Sequence, residues 1–279
     1  MGRRSRRKEQ PSRLAATLGG RWRLWIVGIV ALAVVVILVA RLASPQPHAG
    51  AELRAALIDQ LSPASTNEEF HSSVNADIEH FGLPLDVYEG DEVDVDLYRS
   101  LGEHPYGVLV IRSHSGTLEL GGAESERTTA LFTNEPYSER RHVPEQLADR
   151  VLIVRPFEDD SDIRFGVAPG FFRHNMRGAF PRTIVVVAGC SILNSTELAE
   201  SLVSRGASVV ISWDLSVGLE HADKATALLV HYLLAEGMTV GEAVAATMDQ
   251  AGPDPEYRAV LKYYPESAGR NTAEQLLEP

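Results

Sequence analysis

The chain has 279 residues, of which 44% are hydrophobic and 23% charged, which is enough apolar material to bury a substantial core. This composition with one cysteine excludes a disulfide-stapled miniprotein, global disorder and collagen-like repeats. The net charge of −12 is unevenly distributed, since residues 1–41 carry nine Lys/Arg against one acid, and the remainder carries 17 basic and 37 acidic residues.

The first predicted element is a membrane-spanning helix. Residues 24–40 contain neither a charge nor a proline, and as an α-helix they extend about 26 Å, near the hydrocarbon thickness of a bilayer. We predict a basic cytoplasmic tail over 1–22, an uncleaved signal anchor over 23–43 and a linker over 44–50. The basic flank then predicts a cell-membrane protein with its carboxy-terminal domain outside the cytoplasm. A cleaved signal peptide and a buried core helix are the alternatives.

The rest of the chain alternates short apolar runs with helix-like stretches, which is typical of an α/β sheet. Four continuous runs rich in β-branched residues predict strands that helices cover on both faces: 108–111, 151–154, 184–187 and 209–211. Weaker strand signals lie at 85–88 and at 56–58. The sequence at 56–58 is equally compatible with a helix. The order of elements predicts a mainly parallel sheet in a domain over 51–270, followed by a tail over 271–279.

Turn and helix signals separate these strands. Gly121-Gly122 within 117–132 predicts a hairpin inserted after the strand that ends near Ser113. Two later segments show a capping-box pattern, in which glutamate follows a small polar residue by three positions: Asn194 with Glu197, and Thr239 with Glu242. They predict helices over 195–205 and 240–248.

Two residues with catalytic chemistry follow predicted strands directly. His114 comes after the run 108–111, and Cys190 comes after the run 184–187. If these parallel strands are neighbours, both side chains lie at the carboxyl edge of one sheet, where reactive groups of α/β proteins collect. A thiol needs a nearby base to become a nucleophilic thiolate, and imidazole is the usual one. An inert buried thiol and a structural histidine are the alternative interpretation.

The segment from 183 to about 246 resembles the caspase-like cysteine peptidase superfamily, which includes caspases, legumains, gingipains, clostripain, separase and CHAT domains. The CHAT pattern of strand, Cys, helix, Gly-Ala, strand, Trp and an acidic residue is similar to TIVVVAGCSILNSTELAESLVSRGASVVISWD. The helix pair that follows it in CHAT domains is similar to GLEHADKATALLVHYLLAEGMTVGEAV.

The resemblance implies a caspase-like three-layer sandwich with a mainly parallel sheet, preceded here by one transmembrane helix. It implies that Cys190 is the nucleophile and His114 the general base. The oxyanion hole would consist of backbone N–H groups of Ser115 or Gly116 and of Cys190. The family usually has glycine directly after the histidine, whereas here Ser115 intervenes.

Together these features predict a membrane-anchored cysteine endopeptidase that acts on a peptide or protein substrate and needs no metal or other cofactor. Asp214 ends the strand after the one that precedes Cys190, so it is a candidate partner for a basic P1 side chain, or else a cap for the next turn. A second hypothesis is a catalytically inactive CHAT-type or caspase-fold binding or scaffold module on the membrane. A third is a small-molecule sensor coupled through the single helix. The acidic outer domain predicts no nucleic-acid partner.

Overall fold

The computed structural model describes residues 51–120, 126–156 and 162–278, which belong to one compact unit. The predicted cytoplasmic tail, signal anchor and linker over 1–50, and the predicted Gly121-Gly122 turn, lie outside these ranges. Among the described residues, no helix is both long enough and apolar enough to cross a membrane.

The strands are β1 Arg54–Asp59, β2 Leu85–Glu89, β3 Tyr106–Arg112, β4 Ser115–Leu120, β5 Glu126–Pro136, β6 Val151–Val154, β7 Arg164–Val167, β8 Thr183–Ala188, β9 Ala207–Trp213 and β10 Leu261–Tyr264. The α-helices are α1 Glu68–His80, α2 Val95–Ser100, α3 Val143–Gln146, α4 Pro169–His174, α5 Glu197–Ser204, α6 Leu219–Val230, α7 Val240–Ala251 and α8 Ala273–Leu277. A π-helical turn, His231–Ala235, follows α6 directly.

A six-stranded sheet in the order β10-β9-β8-β3-β1-β2 forms the centre of the fold. All neighbouring strands in it are parallel except β10, which pairs antiparallel with β9. This confirms an α/β fold with a mostly parallel sheet, and the runs 56–58, 85–88, 108–111, 184–187 and 209–211 are confirmed as strands. Strand β2 lies on one side of β1, and β3 lies on the other side. The direction in which successive strands are added to the sheet therefore reverses between β1 and β3. Ligands of open α/β sheets bind beyond the carboxyl ends of strands at such a reversal.

Both faces of this sheet are buried. Alternate residues of each central strand point to opposite faces, because the side-chain period of a strand is two. On one face β3 and β8 contribute Val108, Val110, Ile184 and Val186 to a core shared with α1, α6 and α7. On the other face Leu109, Ile111, Val185 and Val187 pack with α2, α4, α5 and strands of a second sheet. The continuous apolar runs in the sequence reflect this two-sided burial.

One of the four predicted buried strands was assigned to the wrong environment. The run 151–154 is β6, which lies at the edge of a separate antiparallel sheet with the order β4-β5-β7-β6. Ile153 on this strand is 44% exposed. A four-residue run without a polar residue gives the same pattern for an edge strand and for a central one, so periodicity could not separate the two. The predicted hairpin is present as the antiparallel pair β4 and β5.

The start of one helix and the assignment of the carboxy-terminal tail differ from the prediction. Helix α5 begins at Glu197 after Thr196, not after Asn194, and no side chain caps its first N–H groups. The Thr196 hydroxyl donates to the Glu200 carboxylate at 2.6 Å, so a side-chain pair replaces the expected cap. The capping box of Thr239 with Glu242 is confirmed at the start of α7. Residues 273–277, which the sequence assigned to a tail, form α8, whose Ala273 is buried.

Candidate active site

The chain segments that carry His114 and Cys190 meet at one edge of the central sheet. Strands β3 and β8 are parallel neighbours, paired in register from Val108 with Ile184 to Arg112 with Ala188. Beyond the last pair, the Ser113 N–H donates to the Ala188 carbonyl at 3.1 Å. The Ser115 hydroxyl then donates to the carbonyl of Cys190 at 2.8 Å. The predicted neighbourhood of the two strand ends is therefore present.

Gly189 allows this close approach of the two segments. A Cβ atom at this position would lie 2.6 Å from the Ser115 Oγ and 2.8 Å from the Ser113 carbonyl oxygen. Separations of that size are too short for carbon and oxygen, so any side chain would push the segment after β3 away from Cys190. Position 189 therefore requires glycine, because the backbone there packs directly against the segment that carries His114.

We expect Gly189→Ala to destabilise the folded protein by about 1–3 kcal/mol, the usual cost of overpacking. Gly116→Ala is the matched control, because a Cβ there meets no atom within 4 Å and we expect a change within about 0.5 kcal/mol. Urea unfolding of the full-length chain in mild detergent measures both. Equal stability of the two variants would contradict the close contact at Gly189.

The environment of His114 keeps its imidazole neutral. Its backbone N–H donates to the Gln60 Oε1 at 2.9 Å, its carbonyl accepts from the Phe132 N–H at 3.0 Å, and its ring centroid lies 6.2 Å from that of Phe132. Burial lowers the pKa of His114 below its ordinary value, and the positive charge of Arg112 lowers it further. A neutral imidazole at pH 7 is the form that a general base requires.

Arg112, two residues before His114, is the centre of a buried ion network. Its side chain is fully buried, and its guanidinium donates to both carboxylate oxygens of Asp223 at 2.7 and 2.9 Å. The same guanidinium donates to both oxygens of Asp59 at 2.9 and 3.0 Å. Since Asp59 ends β1 and Asp223 lies on α6, one side chain joins two strand ends to a helix. Bidentate pairing of this kind holds the end of β3 in a fixed position.

One group of potential metal ligands is found among the described residues. Ligand atoms of Asp59, His71 and Glu89 lie within 4.8 Å of one another. Both oxygens of Asp59 already accept hydrogen bonds from Arg112, and Oδ2 also lies 2.7 Å from the His71 Nε2. A divalent cation at this point would face the guanidinium charge directly. The donor set therefore fits an internal ion pair better than a metal centre.

The Cys190 thiol is partly buried and contacts the backbone of Val217, in the turn after β9. The Val217 N–H donates to the Cys190 Sγ at 3.5 Å, and the thiol donates to the Val217 carbonyl at 3.7 Å. Two further backbone bonds hold the turn after Cys190, from Ser191 to Leu215 and from Leu193 to Trp213, both at 2.9 Å. The thiol thus lies between its own strand end and that of β9.

The carboxylate of Asp214 contacts β10 and the residue just before it. Its Oδ1 accepts from the Val260 N–H at 2.9 Å, and its Oδ2 lies 2.9 Å from the Lys262 Nζ. Its backbone N–H also donates to the Val260 carbonyl at 3.2 Å. A basic substrate side chain would have to replace Lys262 in order to reach this carboxylate.

Sequence reasoning missed the contacts that surround the two candidate residues. Gln60 accepts a hydrogen bond from the backbone N–H of His114. Arg112 lowers the pKa of His114 through its positive charge. The N–H of Val217 donates to the Cys190 thiol. The one available signal was an arginine directly after four apolar residues of a buried strand, because a buried charge requires a partner. Nothing local in the sequence indicated Val217.

Comparison of the chain with models of protein families and with curated proteins gives no match.

Proposed function

We propose that the outer domain is a caspase-like cysteine endopeptidase in which Cys190 is the nucleophile and His114 the general base. The observation that carries the proposal is the pairing of β3 with β8, which brings the segments of these two residues together. The lowered pKa of His114 supports its role as proton acceptor. The caspase-like three-layer sandwich is part of the same proposal, supported by the burial of both faces of the mostly parallel sheet.

The proposed reaction has two stages. The Cys190 sulfur attacks the scissile carbonyl carbon, and its proton passes to the imidazole of His114. When the tetrahedral intermediate collapses, His114 returns that proton to the leaving amine, and a thioester remains on Cys190. Water then attacks the thioester with His114 as the base, which releases the acid product and restores the thiol.

The ladder between β4 and β5 favours Ser115 over Gly116 as an oxyanion donor. The Phe132 N–H donates to the His114 carbonyl, and Gly116 lies opposite Ala130. Hydrogen-bonded and non-hydrogen-bonded pairs alternate in an antiparallel ladder, so the Gly116 N–H belongs to the next bonded pair. The Ser115 N–H then points away from β5, and we assign it with the Cys190 N–H to the developing oxyanion.

A cavity next to the turn that contains Gly218 is a candidate groove for the predicted peptide substrate. It has a volume of about 420 Å³ and is lined by residues of α6 and of the loop after α7, Gly218, Leu219, His221, Asp254 and Glu256 among them. We retain a basic P1 residue as a proposal, with the condition that it displaces Lys262 from Asp214. Anchoring to the cell membrane through residues 24–40, with the domain outside the cytoplasm, is also part of the proposal.

The test uses the full-length chain in mild detergent, treated with iodoacetamide and separately with a mixed peptide library. We expect native protein to be alkylated at Cys190 and to hydrolyse peptides, and we expect Cys190→Ala to do neither. The nucleophile assignment fails if native Cys190 stays unlabelled while the denatured chain labels fully. It also fails if Cys190→Ala hydrolyses peptides at the wild-type rate.

The contact between the thiol and the Val217 carbonyl favours a second candidate, a binding or scaffold module without turnover. A carbonyl acceptor stabilises the neutral thiol and opposes the thiolate. The module is supported if Cys190 is alkylated with the pH dependence of free cysteine and no peptide is hydrolysed. The peptidase is supported if Cys190 is alkylated at a lower pH than free cysteine and the protein hydrolyses peptides.

A further inference from the structure

We propose that Asp254 is a positioning residue, which holds the peptide unit between Val217 and Gly218 so that the Val217 carbonyl restrains the resting Cys190 thiol. The proposal rests on the proposed role of Cys190 as nucleophile and assigns a control on its reactivity. Asp254 lies 64 positions after Cys190, in the loop between α7 and β10.

Asp254 is a buried carboxylate, 1% exposed, whose hydrogen-bond partners are backbone groups of two turns. Its Oδ2 accepts from the Gly218 N–H at 2.9 Å. Its Oδ1 accepts from the N–H groups of Glu256 and Tyr257 at 2.9 and 2.6 Å. One side chain therefore joins the turn after β9 to the loop after α7.

The carboxylate is ionised at neutral pH. Burial by itself raises the pKa of Asp254, but the three backbone N–H groups and the nearby His221 lower it by more, and the pKa lies below its ordinary value. Hydrogen bonds to a charged acceptor are about twice as strong as those between neutral groups. The bond to Gly218 is thus a firm attachment for the turn.

The Gly218 N–H and the Val217 carbonyl belong to one planar peptide unit. When Asp254 holds the N–H, it also sets the direction of the carbonyl, which lies 3.7 Å from the Cys190 Sγ. The Val217 N–H, which donates to the same sulfur, belongs to the preceding peptide unit and is not turned by this bond. The neutral thiol can use both the donor and the acceptor, whereas a thiolate can use only the donor.

Release of the 217–218 peptide unit should therefore make the thiolate easier to form. The carbonyl would turn away from the sulfur while the Val217 N–H stays. We expect the midpoint of the pH profile of alkylation to move about half to one unit lower, since one hydrogen bond has that net effect. At a fixed pH below the midpoint, alkylation would become about three- to tenfold faster.

Gly218→Pro and Gly218→Ala form the matched pair for the test. Gly218 has φ −66°, which proline adopts, so the proline variant removes the N–H while it preserves this angle. The alanine variant keeps the N–H, and its Cβ would lie 3.3 Å from the Asp254 Oδ2. With iodoacetamide on the full-length chain, we expect the lower midpoint for proline and the wild-type midpoint for alanine. A folded proline variant with the wild-type profile would overturn the proposal.

Asp254→Asn provides a second test if the proline variant does not fold. It removes the negative charge and weakens the bond to Gly218, so both effects move the midpoint in the same direction. The variants leave unchanged the other titratable and charged groups around the turn: Glu220, His221 and Lys224 on α6, and Glu256 and Tyr257 in the loop. They also leave unchanged His114, the proposed base. A folded asparagine variant with the wild-type midpoint would also overturn the proposal.

The wild-type protein offers a third readout that needs no variant. The chain has one cysteine, so its infrared spectrum contains a single S–H stretching band. We expect this band below the frequency of free cysteine because the thiol donates to a carbonyl. A band at the free-thiol frequency would contradict the restraint. These readouts do not depend on peptide hydrolysis, so the restraint and the peptidase proposal fail separately.

Discussion

Arg112→Met is expected to destabilise the folded protein by about 3–5 kcal/mol, the cost of leaving buried charges without their partner. The substitution preserves much of the volume but leaves Asp59 and Asp223 facing each other without the guanidinium between them. Both carboxylates are buried, so water cannot replace the lost hydrogen bonds. Urea unfolding of the full-length chain in mild detergent measures the loss.

Arg127→Met is the control for this substitution. Arg127 pairs with Glu119 at 3.1 Å, but both side chains are about two-thirds exposed. An exposed pair contributes only about 0–1 kcal/mol. Adding Asp59→Asn and Asp223→Asn to Arg112→Met should recover part of the stability, since the uncompensated charges disappear. A loss below about 1 kcal/mol for Arg112→Met alone would show that the network does not hold the end of β3.

His114→Gln is expected to reduce peptide hydrolysis at pH 7 by about 10²–10⁴-fold, the usual contribution of a general base. The wild-type rate should rise with pH through the pKa of His114 and level off above it, because only the neutral imidazole accepts the proton. Since that pKa is lowered, the rising part lies below about pH 6.5, the ordinary value for histidine. The glutamine variant should lack this part of the profile.

His104→Gln is the matched control for the base. His104 precedes β3 and stacks on Tyr106 at 5.2 Å, so it lies at the opposite end of the strand from His114. We expect it to leave both the rate and the pH profile unchanged. An equal loss in both histidine variants would indicate a structural effect on β3, and no loss in His114→Gln would exclude it as the base.

The sequence was sufficient for the strands β3, β8 and β9 at the centre of the main sheet, but not for its edge strand β10. Runs such as 184–187 are β-branched and apolar throughout, so they form strands wherever both faces are covered. The same logic failed at 151–154, because an edge strand of a second sheet can have an equally apolar sequence. The capping box at Thr239 was confirmed because it depends on four consecutive residues. The capping pattern at Asn194 did not form, since Thr196 and Glu200 pair with each other instead.

The position of the candidate site was also readable from the chain, but its surroundings were not. His114 and Cys190 stand directly after strands, and parallel strands end at one edge, so the topology needed only β3 and β8 to be neighbours. Asp214 was predicted either to face a substrate or to cap the next turn, and the sequence did not reveal the antiparallel edge strand β10, where its carboxylate contacts Lys262 and the Val260 N–H just before the strand.

By itself, the amino-acid sequence determined the α/β class, the strands β3, β8 and β9, and the placement of an imidazole and a thiol at strand ends. These features depend on residue type and local spacing, which the chain carries directly. Only the tertiary structure decided that Arg112 joins Asp59 to Asp223, that Val217 contacts the Cys190 thiol, and that Asp254 binds the adjacent Gly218 N–H. The partners in these contacts lie 27 to 111 positions apart, and they meet only because helices and strands pack on both faces of one sheet.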